Sequence, residues 1–334
     1  MTTAYYQNLE KGAEPGRPRG ILLRIFPLAF SIFYAVFLTQ LPLELFKDRA
    51  NYLTYAAYSD IIFERYSAGG LLATIANEPL WLFLNTALRQ IMYPDNVVRV
   101  FIFVPAFLVS WQLLRRDPRH ALWMITFLLS PQVIKNHIIH LRQGVGLSVF
   151  MLGYLATTQW KRVLLMGVAC LIHASFVFIC VIGLGVWALK LARLSPRMQL
   201  VSLLFGFMII GATIEILAGE VGARQVYVYN EAELDISGIG FAFWGVIFLL
   251  FLSAGEGFLE KNMFSFSVLA FYLAVYFLTP LSGRIFESGM FLVFLAGLSL
   301  WGWRRNAFLG AFFLFTATGY WMRLGEPWFG FGIW

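Results

Sequence analysis

Long apolar runs, broken by a few short polar stretches, set the pattern of this chain. They cover residues 24–46, 71–91, 97–114, 121–139, 143–158, 163–189, 200–218, 239–254, 263–281, 285–302 and 307–324. The runs are continuous rather than alternating, which predicts helices and not a β-barrel. A helix crossing hydrocarbon takes about 20 apolar residues. The pattern therefore predicts an all-α polytopic membrane protein of ten to twelve transmembrane or re-entrant helices. Residues 1–20 read as a polar cytoplasmic tail and 21–334 as one membrane domain. No convincing cleavage site follows the first run, so no removed signal peptide is expected.

Composition agrees with the pattern. Of 334 residues, 60% are hydrophobic and only 13% charged, about half the charge of an ordinary soluble domain. A water-soluble globular enzyme is excluded on that ground. The 2 cysteines, Cys170 and Cys180, lie in one apolar run, so a disulfide-built fold is excluded too. They read as small core or lipid-facing residues without metal-ligand spacing. The net charge of +7 lacks a basic cluster long enough to follow a phosphate backbone, so no nucleic-acid partner is expected. It fits cytoplasmic loops rich in Lys and Arg.

That charge rule constrains the topology. Lys11, Arg17 and Arg19 put the N-terminus inside. Single crossings by every run would then place Arg115, Arg116, Arg119, Lys161 and Arg162 outside. The conflict disappears if two runs do not cross once. Run 71–91 is interrupted by Asn77-Glu78-Pro79, where proline disfavours helix at the residue before it. Run 163–189 is long and carries His173 near its centre, where it can break into a pair of short limbs. With both changes, Asp48, Tyr52, Tyr55, Asn77, Glu78, His140, Arg142, Gln143, His173, Arg284 and the loop 219–238 gather in the outer half.

Each of these residues has two readings. Arg142 follows Lys135-Asn-His-Ile-Ile-His140-Leu and opens an apolar helix beside Gln143 and Gly144. Its fork of donors suits phosphate oxygens, or it snorkels to headgroups. His137 and His140 are spaced to share a helical face, but no further ligand for a metal is evident, and none is expected. His173 is a general base by chemistry, or a hydrogen-bonded core histidine. Glu78 accepts a proton or holds hydroxyls, or forms a salt bridge within the bundle. Asp48, Tyr52, Tyr55 and Ser59 have helical spacing that suits a sugar, with carboxylate on hydroxyls and rings on C–H faces. Tyrosines at a membrane interface also form the ordinary aromatic belt. Arg284 presents to an anion or pairs Glu287 one turn later. The loop 219–238, with Glu220, Glu231, Glu233 and Asp235, is a lid, an acceptor groove or a solvated loop. P-loop, dinucleotide, HExxH and GxSxG patterns are missing, and no cofactor is expected.

The order of these short motifs resembles one family. Asp48-x-x-x-Tyr52, Glu78-Pro79, Arg142-Gln143, Ile172-His173-Ala174-Ser175 and Arg284 before an aromatic-rich helix resemble the EpsG branch of Wzy-type polysaccharide polymerases, over roughly residues 45–290. Gly144-Val145-Gly146 departs from the Ala-rich run expected there. The resemblance implies a fold related to the GT-C glycosyltransferase architecture. It implies joining of undecaprenyl-diphosphate-linked oligosaccharide repeat units at the outer face of the bacterial inner membrane, with lipid diphosphate as leaving group. The partners it implies are that lipid-linked oligosaccharide, the bilayer and a chain-length regulator protein. Under it His173 and Glu78 are catalytic, Arg142 and Arg284 bind diphosphate, and Asp48, Tyr52, Tyr55, Gln143 and His140 bind acceptor sugar.

Other readings stay open. An O-antigen ligase or a glycan O-acetyltransferase shares much of this chemistry. A lipid-linked oligosaccharide flippase or other transporter also uses intramembrane Arg, Glu and His.

Overall fold

The computed structural model describes residues 21–220 and 238–333. The tail 1–20 and most of the acidic loop 219–238 lie outside the described residues. The described residues are predominantly helical, with no strand beyond one isolated bridge between Phe46 and Gly332. The helices are α1 (Ile21–Gln40), α2 (Arg49–Ser67), α3 (Leu71–Ala76), α4 (Pro79–Arg89) and α5 (Pro94–Arg116), then α6 (Ala121–Leu128), α7 (Pro131–Ile138), α8 (Leu141–Tyr154), α9 (Gln159–Ile172) and α10 (Ser175–Leu191). The remainder are α11 (Pro196–Glu220), α12 (Ile239–Ser253), α13 (Glu256–Val275), α14 (Ser282–Leu298) and α15 (Gly302–Trp321).

Apolar side chains face outward as well as inward. Phe33, Phe37, Val201, Phe205, Val246 and Leu249 are all exposed, whereas Arg49, Glu78, Asn136, His137, Gln143 and His173 are buried. This distribution is the reverse of a water-soluble surface and matches a lipid-facing one. Among the described residues three helices are long and apolar enough to cross a bilayer: α5, the stretch Pro196–Ile214 of α11, and α13. Ile25–Gln40, α10 and α12 are apolar but shorter. The fold is thus that of an all-α membrane-embedded protein.

Several apolar runs are divided in the structure. Run 71–91 becomes α3 and α4, with Glu78 between them in the left-handed region (φ 61°, ψ 57°) and Pro79 opening α4. Pro79 accounts for the restart, since its missing N–H costs nothing in a first turn. Run 163–189 becomes α9 and α10, meeting at an elbow where His173 is extended (φ −150°, ψ 123°). Run 121–139, expected as one element, is also two. α6 stops at Leu128 and α7 restarts at Pro131, after Ser130 in extended conformation. The first helix ends at Gln40 rather than 46, because Pro42 precedes a short turn.

Packing gives the bundle two unlike ends. α1 lies along α5, tied by Arg99 donating to the Thr39 carbonyl. α8 and α9 form a tight pair in which Gly153 sits against Leu165 and Met166. α8, α10 and α14 each begin near Arg142, Ser175 and Arg284. Each runs away toward a basic loop, with Lys161 and Arg162, Lys190 to Arg197, or Arg304 and Arg305. At that far end Arg197 pairs with Glu256 (2.9 Å) and Arg304 donates to Ser253 (3.0 Å). The near end mixes signs, as in the Arg89–Asp60 pair at 3.3 Å.

Candidate functional site

The near end holds a buried polar network assembled from three breaks in helix. The left-handed backbone at Glu78 places its carboxylate in the bundle, 2% exposed. A non-glycine residue in this region carries strain of about 1–3 kcal/mol, and such strain gathers at functional positions. Glu78 accepts from Arg142 Nη1 on one oxygen. Its other oxygen is 2.6 Å from His173 Nδ1 and accepts from the Ala174 N–H at 3.3 Å. The α3–α4 break, the start of α8 and the α9–α10 elbow thus meet on one carboxylate. A carboxylate paired with a guanidinium only accepts, so the His173 ring donates to it from Nδ1 and leaves Nε2 outside this contact.

Arg142 is further enclosed by tyrosines. Its guanidinium carbon lies 5.4 Å from the centre of the Tyr55 ring, a cation–π contact. Tyr52 is close enough to act on its charge. Tyr52 and Tyr55 both stand edge-on to Trp81. A small recess lies here, lined by Tyr55, Tyr66, Asn77, Glu78, Trp81 and Arg142. It encloses about 10 Å³, room for one water. Two lining residues hold buried donors without a hydrogen-bond partner, Trp81 Nε1 and Arg142 Nε.

Gln143, next along α8, reaches the other side. Its Nε2 donates to the Arg284 carbonyl and to Ser288 Oγ, both at 3.0 Å. Ser288 Oγ in turn is 2.6 Å from Ser175 Oγ, just past the elbow. Glu287 pairs with Lys135 Nζ at 3.2 Å. His140 Nδ1 stands 3.9 Å from Glu287 Oε2, and both atoms are buried without a hydrogen-bond partner. Lys135, Arg284 and Arg142 lie near enough to His140 for their charges to act on it. The two halves therefore adjoin across Arg142-Gln143. Three cations (Lys135, Arg142, Arg284) face two carboxylates (Glu78, Glu287), a positive balance suited to an anion.

Eight of the nine sequence candidates gather here: Glu78, Arg142, His173, Gln143, Tyr52 and Tyr55 directly, and His140 and Arg284 on the Gln143 side. Asp48 does not. It precedes α2 in the left-handed region (φ 60°) and is exposed, so it leaves the face shared by Tyr52, Tyr55 and Ser59. The buried residue at that helix start is Arg49, which donates to the Ile138 carbonyl. His137 and His140 do not share a helical face either, because α7 ends at Ile138. His137 is fully buried against the edge of Tyr34. Among the described residues no cluster of three His, Cys, Asp or Glu is placed to hold a metal.

Sequence reasoning missed Lys135 and Glu287 as a pair, and Trp81 as the floor of the recess. Lys135 and Glu287 lie 152 positions apart, beyond any spacing rule. Trp81 carried a weak signal, standing three residues after Glu78, beside a proline that restarts a helix. No family model matches this chain, nor does any curated protein or solved structure match it.

Proposed function

We propose that this protein is a membrane glycosyltransferase that polymerises oligosaccharide repeat units carried on undecaprenyl diphosphate. The observation that carries the reading is the Arg142–Glu78–His173 network, which sets a cation and an oriented imidazole on one carboxylate. The motif order that resembles Wzy-type polymerases supports it.

In this reaction an acceptor hydroxyl attacks the anomeric carbon of the donor glycan. The bond from that carbon to diphosphate oxygen breaks, and the hydroxyl proton passes to a base. His173 Nε2 is that base, with Glu78 fixing the tautomer through Nδ1, the division of labour that carboxylate–histidine pairs use elsewhere. Glu78 is therefore a positioning residue. Negative charge grows on the departing diphosphate, and fixed cations stabilise it most where water is excluded. Arg142, through its spare Nε, and Arg284 supply them. Tyr52, Tyr55, His140 and Gln143 hold acceptor sugar.

The two unlike ends of the bundle support an orientation. The far end carries Arg115, Arg116, Lys161, Arg162, Lys190, Arg193, Arg197, Arg304 and Arg305, and the positive-inside rule places it in the cytoplasm. The site then faces the periplasm or exterior. α9 has 14 residues and α10 has 17, about 21 and 26 Å at 1.5 Å per residue, short of a hydrocarbon core about 30 Å thick. On this orientation the elbow lies within the outer half of the membrane, at the depth proposed for the lipid diphosphate of a substrate. The finer architecture of ten to twelve spanning or re-entrant helices belongs to the same proposal, as does a chain-length regulator partner.

Purified protein in nanodiscs, supplied with a lipid-linked repeat unit, tests the reading. A ladder of polymer with release of undecaprenyl diphosphate is expected. Transfer only to a lipid A core acceptor, or movement of the lipid between leaflets with no new glycosidic bond, would overturn it.

A further inference from the structure

We propose that Cys170 and Cys180 are a built-in dithiol that a disulfide oxidant converts to an intramolecular bridge, stapling α9 to α10 beneath the His173 elbow. The inference is independent of the reaction proposed above.

The two sulfurs are 3.5 Å apart. They converge on one acceptor, since Cys170 Sγ lies 3.3 Å and Cys180 Sγ 3.9 Å from the Met166 carbonyl. Both residues are free and half-buried. Cys170 is in the last turn of α9 and Cys180 in the second turn of α10, so the elbow alone brings them together. A covalent bond needs the sulfurs at about 2.05 Å, a closure of about 1.5 Å that side-chain rotation and a small helix shift can provide. The neighbours Leu171, Val177 and Val181 are exposed apolar groups. An apolar disulfide can therefore approach the thiols from the lipid-facing side.

The chemistry balances as ordinary exchange. One cysteine loses its proton and attacks a sulfur of the oxidant. The oxidant's S–S bond breaks, its first thiol leaves, and a mixed disulfide forms. The second cysteine attacks the protein sulfur of that mixed disulfide and expels the second thiol. The protein loses two electrons and two protons, and the oxidant is reduced to two thiols.

The ring so closed contains His173 and Ala174, whose Nδ1 and N–H both engage Glu78. Bridging fixes the angle between the limbs and holds that engagement. The chain has only 2 cysteines, so the products separate cleanly. Full-length protein in nanodiscs would be treated with dithiodipyridine, then examined by intact mass, by peptide mapping and on a non-reducing gel.

The expected result is a monomer lighter by two hydrogens, both thiols lost together, and full reversal by dithiothreitol. Its unfolding midpoint should rise by about 4 °C, and Cys170→Ser should show neither change. Two stable pyridyl adducts, disulfide-linked dimers, or thiols that stay alkylatable would each overturn the proposal. A bridge that leaves the midpoint unmoved would overturn the stapling.

Discussion

His173 Nδ1 and Glu78 Oε1 are 2.6 Å apart, although 95 residues separate them along the chain. Because the same carboxylate also neutralises Arg142, charge and proton handling can be separated by substitution. Glu78→Gln leaves a buried guanidinium without its counter-ion. It should lower stability by about 3–5 kcal/mol and abolish polymer formation. His173→Asn keeps the Glu78–Arg142 pair, so its stability should fall by only about 1 kcal/mol, while turnover drops by about 10²–10⁴. Unfolding in nanodiscs and single-turnover kinetics read the two effects apart. Equal loss of stability in both variants would remove the distinction.

Arg142→Lys retains a charge near Glu78 but loses the spare Nε donor and the planar face over Tyr55. Arg and Lys are not interchangeable at such a site. Folding should survive and turnover should fall by about tenfold or more, with a smaller change in KM. A variant as fast as the wild type would show that Arg142 serves structure alone.

Gln143→Leu preserves volume and removes one amide. The Arg284 carbonyl and Ser288 hydroxyl would each lose one donor, while the Ser288–Arg284 and Ser175–Ser288 contacts remain. A cost of about 0.5–1.5 kcal/mol is expected, together with a weaker grip on the α14 start that carries Arg284. A thermal melt checks the first, and diphosphate release kinetics check the second.

Gly144→Ala tests the close approach of α8 to α7. A Cβ there runs into the Asn136 carbonyl, which belongs to backbone and cannot rotate away. Overpacking of this kind costs about 1–3 kcal/mol or more. Gly167→Ala, where the added methyl meets open space, should be neutral or slightly stabilising in its helix. Expression and unfolding midpoints of the two variants should diverge.

Orientation is open to chemical labelling. Asp95 and Arg119 are both exposed, near opposite ends of α5. An impermeant maleimide added outside intact cells should label Asp95→Cys and spare Arg119→Cys, in a background lacking Cys170 and Cys180. The reverse pattern would place the site in the cytoplasm.

The helical, membrane-embedded character was legible because so few charged residues interrupt the apolar runs. The breaks at Glu78-Pro79 and at His173 were legible for different reasons. Proline forbids the first helix from continuing, and the second run was too long for one crossing that keeps basic loops on one side. The break at Ser130-Pro131 carried the same proline signal, but nothing in the charge pattern required it. Asp48 was misplaced because helical spacing counts residues and does not sense a left-handed backbone angle at the first of them. The Lys135–Glu287 pair and the Gln143–Ser288–Ser175 chain depend on how α7, α8, α10 and α14 meet. One-dimensional pattern carries no information on those meetings.

The recess beside Glu78 admits about one water. If the proposed reaction holds, a diphosphate and a sugar enter only once helices part, and turnover would begin with an opening motion rather than with chemistry. Contacts made by the isoprenoid tail of the proposed substrate, far from the reacting atoms, would then drive the parting. On that reading, shortened-tail substrates should lose catalytic rate as well as affinity, and bilayer thickness would act on the rate of polymerisation.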